Sequence, residues 1–523
     1  VADVTGDRGG AAPERTTCVI VGGGPAGLVL GLLLARGGVE VTVLEKHADF
    51  LRDFRGDTVH PTTLGLLEDL GLLGRFEAIP HSRVERVTIP DRGGRGLVLA
   101  DFGRLPLRHP YVAMVPQWDL LALLAEAAGE ERGFTLRTEH EATGVIREGG
   151  RISGVEYRSP TGSGRLRADL VVACDGRWSA VRRSAGLAVR SLPVGFDVWW
   201  YRIPTQHPVG ESLLPRIGRG RVAIAIPRRG YLQVARLGPK GTDRAVRERG
   251  IEAFRAEAAQ QLPEVAADVA RIASMDEVKH LDVRLERLPR WHEPGLLCLG
   301  DAAHAMSPVG GVGINLAVQD AVAAARLLAG PLRRGVLRTA AGDCLLARVQ
   351  RRRALPAVLI QSLQRVLHAR LIMPALAGRL AGPPRALAVL PAAAGARGGA
   401  GGGGGRRAAA RARAVVGAAS GDAVSWSAGE GGSRYAPAAL LDQQVAATPD
   451  RQLPADRVAR GAGVSRSGVG GGQPGRVIDM TSRALSSCAS VTSPRSTKPR
   501  STTDSRTVMP LATEFFATLA AAS

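Results

Sequence analysis

Four short apolar runs, Cys18–Val21, Val41–Leu44, Ala168–Ala173 and Leu296–Leu299, the first of them rich in β-branched residues, punctuate the first three hundred residues. Runs of this length without polar alternation read as strands of a parallel sheet buried on both faces. Pro25–Arg36 joins the first two as a helix, so the chain opens with a βαβ unit over about Arg15–Lys46. His60-Pro61 starts a second helix, with apolar residues at Leu64, Leu67, Leu70 and Leu73. Gln117–Ala128 reads as a third, following Pro116 and carrying Leu120, Leu121, Leu123 and Leu124. Val84–Tyr111 breaks into strand-like pieces with turns at Asp91–Gly94 and Asp101–Gly103, and Val145–Arg158 reads as a hairpin across Glu148-Gly149-Gly150.

The pattern changes between Phe196 and about Arg284. Val198–Ile203, Val222–Ile226 and Tyr231–Arg236 are β-like and Ile251–Gln261 is helical, which predicts an inserted antiparallel sheet with a helix laid on it. Helices over Ile314–Leu328 and about Leu345–Leu371 then finish the fold. The expected organisation is a polar, disordered leader at 1–14, a discontinuous parallel-sheet domain at 15–195 and 285–390, and an inserted lobe at 196–284 to which part of 84–115 also belongs. Past Pro391 the stretch Ala392–Ala414 is almost wholly Ala, Gly and Arg, and no period emerges afterwards, so 391–523 reads as a low-complexity, disordered tail. So abrupt a change resembles coding sequence read out of frame.

Composition narrows the partners. The 523 residues hold 69 Lys+Arg against 48 Asp+Glu, a formal charge of +21, which raises nucleic acid as a partner. Only Lys46, Lys240, Lys279 and Lys498 are lysines, the arginines are dispersed along the chain, and aromatic residues are 4%, leaving few stacking platforms. The sequence therefore predicts no nucleic-acid binding. Five cysteines without a CxxC pair predict neither a disulfide framework nor a metal site, and a reducing cytoplasm is expected. The first apolar stretch is interrupted by three glycines and a proline, and Val508–Ala521 is too short to span a bilayer. Neither a signal peptide nor a membrane span is expected.

Gly22-Gly23-Gly24-Pro25-Ala26-Gly27 lies between the first strand and the first helix, with Glu45 closing the second strand. This is the dinucleotide-binding arrangement: the first glycine makes the tight turn, the second lets a pyrophosphate approach the backbone, and the third lets helix and strand pack closely. The helix start then directs free N–H groups at the phosphates, and Glu45 can accept from the adenosine ribose hydroxyls. The expected contacts of an ADP-containing cofactor are Gly22, Gly24, Pro25, Ala26, Gly27, Glu45 and Lys46. Ala48–Thr58, rich in Asp and Arg, reads as a cover over the nucleotide.

Three further motifs follow strands or lead into a helix: Asp175-Gly176-Arg177-Trp178-Ser179-Ala180-Val181-Arg182, Gly300-Asp301-Ala302-Ala303-His304, and Pro308-Val309-Gly310-Gly311-Val312-Gly313-Ile314-Asn315. With the glycine loop, and in this order, they resemble the para-hydroxybenzoate hydroxylase family of single-component class A flavoprotein monooxygenases, over roughly Thr16–Leu390. The resemblance implies an α/β fold with a Rossmann-like, glutathione reductase-type FAD-binding domain, an inserted antiparallel substrate-binding lobe and C-terminal helices. It implies FAD contacts from Arg55 and Gln117, a ribityl contact from Asp301, and Gly311, Val312, Gly313, Ile314 and Asn315 along the isoalloxazine edge. Asp175 is shared between FAD and NAD(P)H contacts in such enzymes. His304 reads as structural, while His60 is equally compatible with a turn role.

The activity so implied is hydroxylation of a phenolic or quinone-like, polyketide-derived aromatic substrate with NAD(P)H and dioxygen through a flavin C4a-hydroperoxide. The chemistry is centred on the flavin, so no catalytic triad is expected, and Arg55 and Pro308 are the candidate side chains beside it. A helix N-terminus behind the glycines at 310–313 suits the negative charge of a reduced flavin. Other readings stay open. A flavin-binding protein inactive through C-terminal damage would account for the tail, and a flavin-dependent reductase would share the cofactor site. Val198–Pro204 partly matches the WxWxIP signature of flavin-dependent halogenases, but Tyr201 replaces the second tryptophan and no lysine occurs between Lys46 and Lys240.

Overall fold

The computed structural model describes residues 14–379, except 52–57, 91–95, 105–106, 207–213, 219 and 229. Arg55, the leader before Glu14 and the tail 391–523 therefore lie outside the described residues. Five parallel strands form the centre in the order Leu296–Cys298, Gly162–Ala173, Arg15–Val21, Val41–Leu44 and Phe134–Arg137. Their alternating side chains feed two cores. Cys18, Ile20, Val43, Leu170 and Val172 pack under the helices Pro25–Arg36, Gln117–Gly129 and Gly313–Arg333. Val19, Val21, Val171, Ala173 and Cys298 face Trp291 and the long helix Ala340–Leu367. Continuous hydrophobicity in these strands is the consequence of cover on both faces.

The strand ending at Ala173 is longer than its apolar run. It begins at Gly162, and its polar first half pairs antiparallel with Arg151–Ser159, Tyr157 opposite Gly164. Arg165 and Arg167 lie in this exposed extension and hide it from a reading based on apolar runs. The second C-terminal helix also differs from expectation: it starts at Ala340, ends at Leu367, and continues through a π-helical turn, His368–Ile372, into Met373–Leu376.

Residues 196–281 supply a five-stranded antiparallel sheet in the order Leu214–Gly218, Arg221–Arg228, Tyr231–Pro239, Phe196–Pro204 and Lys279–Leu281. Its outer face buries Trp199, Tyr201, Ile203 and Val234 against Phe254 of the helix Gly250–Gln261. The inner face carries Val198, Trp200, Val222, Ile224 and Leu237, and Val309 packs against it. Trp200, Ile224 and Ile226 also meet Val84, Phe102, Val112 and Met114. The Pro308 loop of the parallel-sheet domain is thereby pressed onto the inserted lobe.

Candidate active site

Backbone geometry explains the first glycine loop. Gly22 has φ +104°, and a Cβ there would lie 2.5 Å from the Cys174 carbonyl oxygen. At Gly27 it would lie 1.9 Å from the Gly22 oxygen, so strand and helix could not approach as they do. Gly24 is different: no protein atom lies within 4 Å of the position a Cβ would take. It is the N-cap of the helix Pro25–Arg36 and no side chain caps that end, so the first-turn N–H groups open onto that free space. The Glu45 carboxylate, buried, accepts from the Gly23 N–H at 2.8 Å and the His47 N–H at 3.0 Å, bracketing the loop. Pro25 is half-buried, Ala26 is buried, and Lys46 is exposed beside them.

The two other motif segments are joined to each other. Arg182, buried, donates to the Ala302 carbonyl at 3.0 Å and to the Arg177 carbonyl at 2.8 Å, while Arg177 pairs with Asp301 at 3.2 Å. Asp175 accepts from the Val181 N–H at 3.2 Å, and burial raises its carboxyl above the ordinary range despite the neighbouring Ser179 and backbone donors. Asp175 thus holds its own turn, and Asp301 stands half-buried at the rim. Behind them, fully buried Asp320 accepts from His304 Nε2 at 2.5 Å, the Gly300 N–H at 3.1 Å and Arg353 Nε at 2.8 Å. His304 is structural: its ring ties the Gly300-Asp301 turn to Asp320 of the helix Gly313–Arg333, and Arg353 links the same carboxylate to the helix Ala340–Leu367.

The helix Gly313–Arg333 has no side-chain cap, and a Cβ on Gly313 would meet nothing within 4 Å. Its N-terminus is therefore a second open cradle of backbone donors. Gly311, φ +62°, is held by Thr58, whose hydroxyl donates to its carbonyl at 2.7 Å. Asn315 spends its side chain within the protein: the Oδ1 accepts from the His60 N–H and the Thr63 hydroxyl at 2.9 and 2.8 Å, and the Nδ2 donates to the Thr58 and Gly311 carbonyls. What Asn315 offers a ligand is its backbone N–H, alongside those of Gly313 and Ile314. His60 is buried with its ring bonded to the Gly310 backbone, and burial lowers its pKa to about 4, so it is neutral at physiological pH. Pro308 is half-buried, Val312 is buried, and Gln117 starts its helix half-buried.

Several residues that position this site escaped the motif reading. Gln364 donates to the Ser307 and Val309 carbonyls at 2.9 Å each, and Gln361, one turn earlier, donates to the Ala305 carbonyl at 3.2 Å. Two glutamines three apart inside a buried stretch of a long helix were the available signal.

The chain matches the family model described as an FAD binding domain over residues 15–361. It belongs to that family. It is 34% identical over 336 residues to 6-methylpretetramide 4-monooxygenase of Streptomyces rimosus, covering 64% of this chain and 80% of the relative. It is 29% identical to 12-dehydrotetracycline 5-monooxygenase/anhydrotetracycline 6-monooxygenase of S. rimosus, where the match spans 59% of this chain and 61% of the relative. Among solved structures, Pseudomonas aeruginosa PqsL in complex with 2-aminobenzoylacetate has the same fold, with TM-score 0.59, 24% identity, and coverage of 68% of this chain and 97% of PqsL. FAD fits the family site seen here: two uncapped helix ends, open space at Gly24 and Gly313, and a buried carboxylate, Glu45, closing the second strand. The chain is an FAD-dependent oxidoreductase of the monooxygenase type.

Proposed function

We propose that this chain hydroxylates a polycyclic, polyketide-derived phenol or quinone, taking electrons from NAD(P)H and oxygen from dioxygen. The observation that carries the reading is that Val309, beside the uncapped Gly313 helix, packs against the same apolar cluster on the inner face of the inserted sheet as Trp200 and Ile224. A planar group lying on that helix end faces a wall of apolar and aromatic side chains, the surroundings an aromatic ring requires. The relatives named for pretetramide and anhydrotetracycline oxidation point to the same substrate class.

Bound FAD supplies the redox chemistry, accepting hydride and activating dioxygen. The chain supplies binding, orientation and exclusion of water. Gly22, Gly24 and Gly27 shape the diphosphate cradle, with Pro25 and Ala26 opening its helix, and Glu45 takes the adenosine ribose beside Lys46. Asp301, oriented by Arg177, takes the ribityl chain, Gln117 and Arg55 add further contacts, and Asp175 keeps the adjoining turn in place. The N–H groups of Val312, Gly313, Ile314 and Asn315 stabilise negative charge on the ring edge through the helix dipole, while Gly311, its own N–H given to the Pro308 carbonyl, turns the backbone toward the ring. Thr58 and Asn315 fix that backbone, and neutral His60 adds no competing charge. Pro308 and Val309 form the floor on which substrate rests.

The halogenase reading lacks its lysine: Lys240 is spent on Asp197, Asp282 and the Val283 carbonyl, and Lys46 lies at the adenosine end. The test is a panel of polycyclic phenols and quinones scored for stimulated NAD(P)H oxidation, followed by product analysis under labelled dioxygen. Label in the product is expected. A protein that retains FAD but shows no substrate-stimulated oxidation, or product without label, overturns the proposal.

A further inference from the structure

No Asp or Glu occurs between Cys344 and Arg379, a span that contains most of the helix Ala340–Leu367 and its π-helical extension. At 100° per residue, Arg348, Arg351, Arg352, Leu355 and Leu359 fall on one side of that helix. Arg353 falls on the opposite side, where it is buried against Asp320. Leu355 is 63% exposed and Leu359 45% exposed, one turn apart. Among the described residues Arg348, Arg351 and Arg352, all exposed, form no ion pair, and exposed Arg365 and Arg370 beyond the leucines form none either. The result is an aliphatic pair with three arginines just before it on one exposed side of the helix, opposite the side from which Gln361 and Gln364 reach the 305–309 segment.

We infer that this face docks the enzyme on an anionic lipid bilayer. Exposed leucines flanked by unpaired arginines are the make-up of an interfacial helix: the aliphatic groups enter the headgroup boundary and the guanidinium groups pair with lipid phosphates. A second copy of the chain is a poor occupant, because two such faces brought together place like charges opposite one another. Nucleic acid is a poor one too, since the face offers aliphatic rather than aromatic groups. Three guanidinium groups within one turn, followed by two exposed leucines on the same side, match the plane of a membrane. Docking there would place the site beside a phase that dissolves polycyclic aromatic substrates.

The full-length holoenzyme is sedimented with vesicles of pure phosphatidylcholine and with vesicles of equimolar phosphatidylcholine and phosphatidylglycerol. Binding only to the anionic vesicles, weakened by salt, is expected. Each arginine near an anionic bilayer is worth about fivefold in partitioning, so the triple variant Arg348→Gln, Arg351→Gln, Arg352→Gln is expected to bind about a hundredfold more weakly. Leu355→Ser with Leu359→Ser is expected to lower binding about tenfold or more. FAD content and substrate-stimulated NAD(P)H oxidation should stay at wild-type levels in both. The inference fails if the protein binds neither vesicle, binds both equally, or binds undiminished in both variants, which would move the contact to another basic segment such as the arginines at 406–413. It also fails if only the arginine variant loses binding, because the face would then suit a soluble acidic macromolecule. The vesicle-binding and FAD-content readouts require no turnover, so they are independent of the substrate proposed above.

Discussion

Asp320 is the residue whose removal reports most directly on how the site is held. It is fully buried and accepts three hydrogen bonds, from the ring of His304, the Gly300 N–H and the Arg353 guanidinium. Asp320→Ala takes the carboxylate away from Arg353, itself buried and also donating to Gln319 at 2.7 Å, and it frees the turn that presents Asp301. Breaking a buried pair by deleting one partner costs about 3–5 kcal/mol. With a urea slope of about 2–3 kcal/mol/M, the unfolding midpoint should fall by about 1–2 M. Replacing both partners, as Asp320→Asn with Arg353→Met, should recover part of the loss, since no charge is then left unpaired. The sign of the pH dependence follows from the carboxyl. Burial pushes its pKa up, but His304 and Arg353 more than offset this and hold it below the ordinary aspartate value. Its contribution is therefore complete above about pH 4 and is lost as pH falls through the lower folded value. Urea melts of holoenzyme at neutral pH, with FAD retention after gel filtration, test the reasoning. A loss below about 1 kcal/mol with unchanged FAD retention would refute it.

Other substitutions probe the cofactor cradle separately. Gly24→Ala meets no protein atom, so apoprotein stability should be unchanged while FAD binding falls at least tenfold; an alanine variant that keeps FAD would move the diphosphate elsewhere. Gly27→Ala drives a methyl into the Gly22 carbonyl and should give insoluble or flavin-free protein, checked by the ratio of flavin to protein absorbance. Glu45→Ala removes both the proposed ribose acceptor and the bracket on Gly23 and His47, so FAD affinity should drop about tenfold or more, and unchanged affinity in fluorescence titration would contradict the assignment. His60, lowered to about 4 in the fold, protonates more readily when unfolded, so its burial adds stability that is full above about pH 6.5 and is lost, by about 3 kcal/mol, as pH falls to 4. His60→Gln should flatten that acid limb in pH-dependent melts, and a limb of unchanged steepness would exclude His60 as its source.

Much of the site was legible because motifs and apolar runs are local. Gly22 to Gly27, Glu45, Asp301 and the 308–315 segment are recognisable from a few neighbouring residues whose spacing the turn or helix itself demands. The polar links were not legible. Thr58 reaches Gly311 across 253 positions, and Arg182 reaches Ala302 across 120. A threonine or an arginine carries no mark in the sequence of the carbonyl it will meet. Asn315 illustrates the same gap: the motif places it at the ring, yet the fold turns its side chain toward Thr58, His60 and Thr63.

Taken by itself, the sequence determined the strand and helix alternation, the first glycine turn and the order of motifs. Backbone sterics and the period of buried side chains act within a few residues, so these features need no tertiary information. Only the tertiary structure decided that Gly24 and Gly313 face open space, that buried Asp320 braces the Gly300-Asp301 turn, and that Val309 packs on the inner face of the inserted sheet. It also decided that Leu355 and Leu359 remain outside while Arg353, two positions from Leu355, goes in. Those outcomes depend on which distant surfaces are buried together, and burial sets both the cost of an unpaired charge and the availability of a free donor.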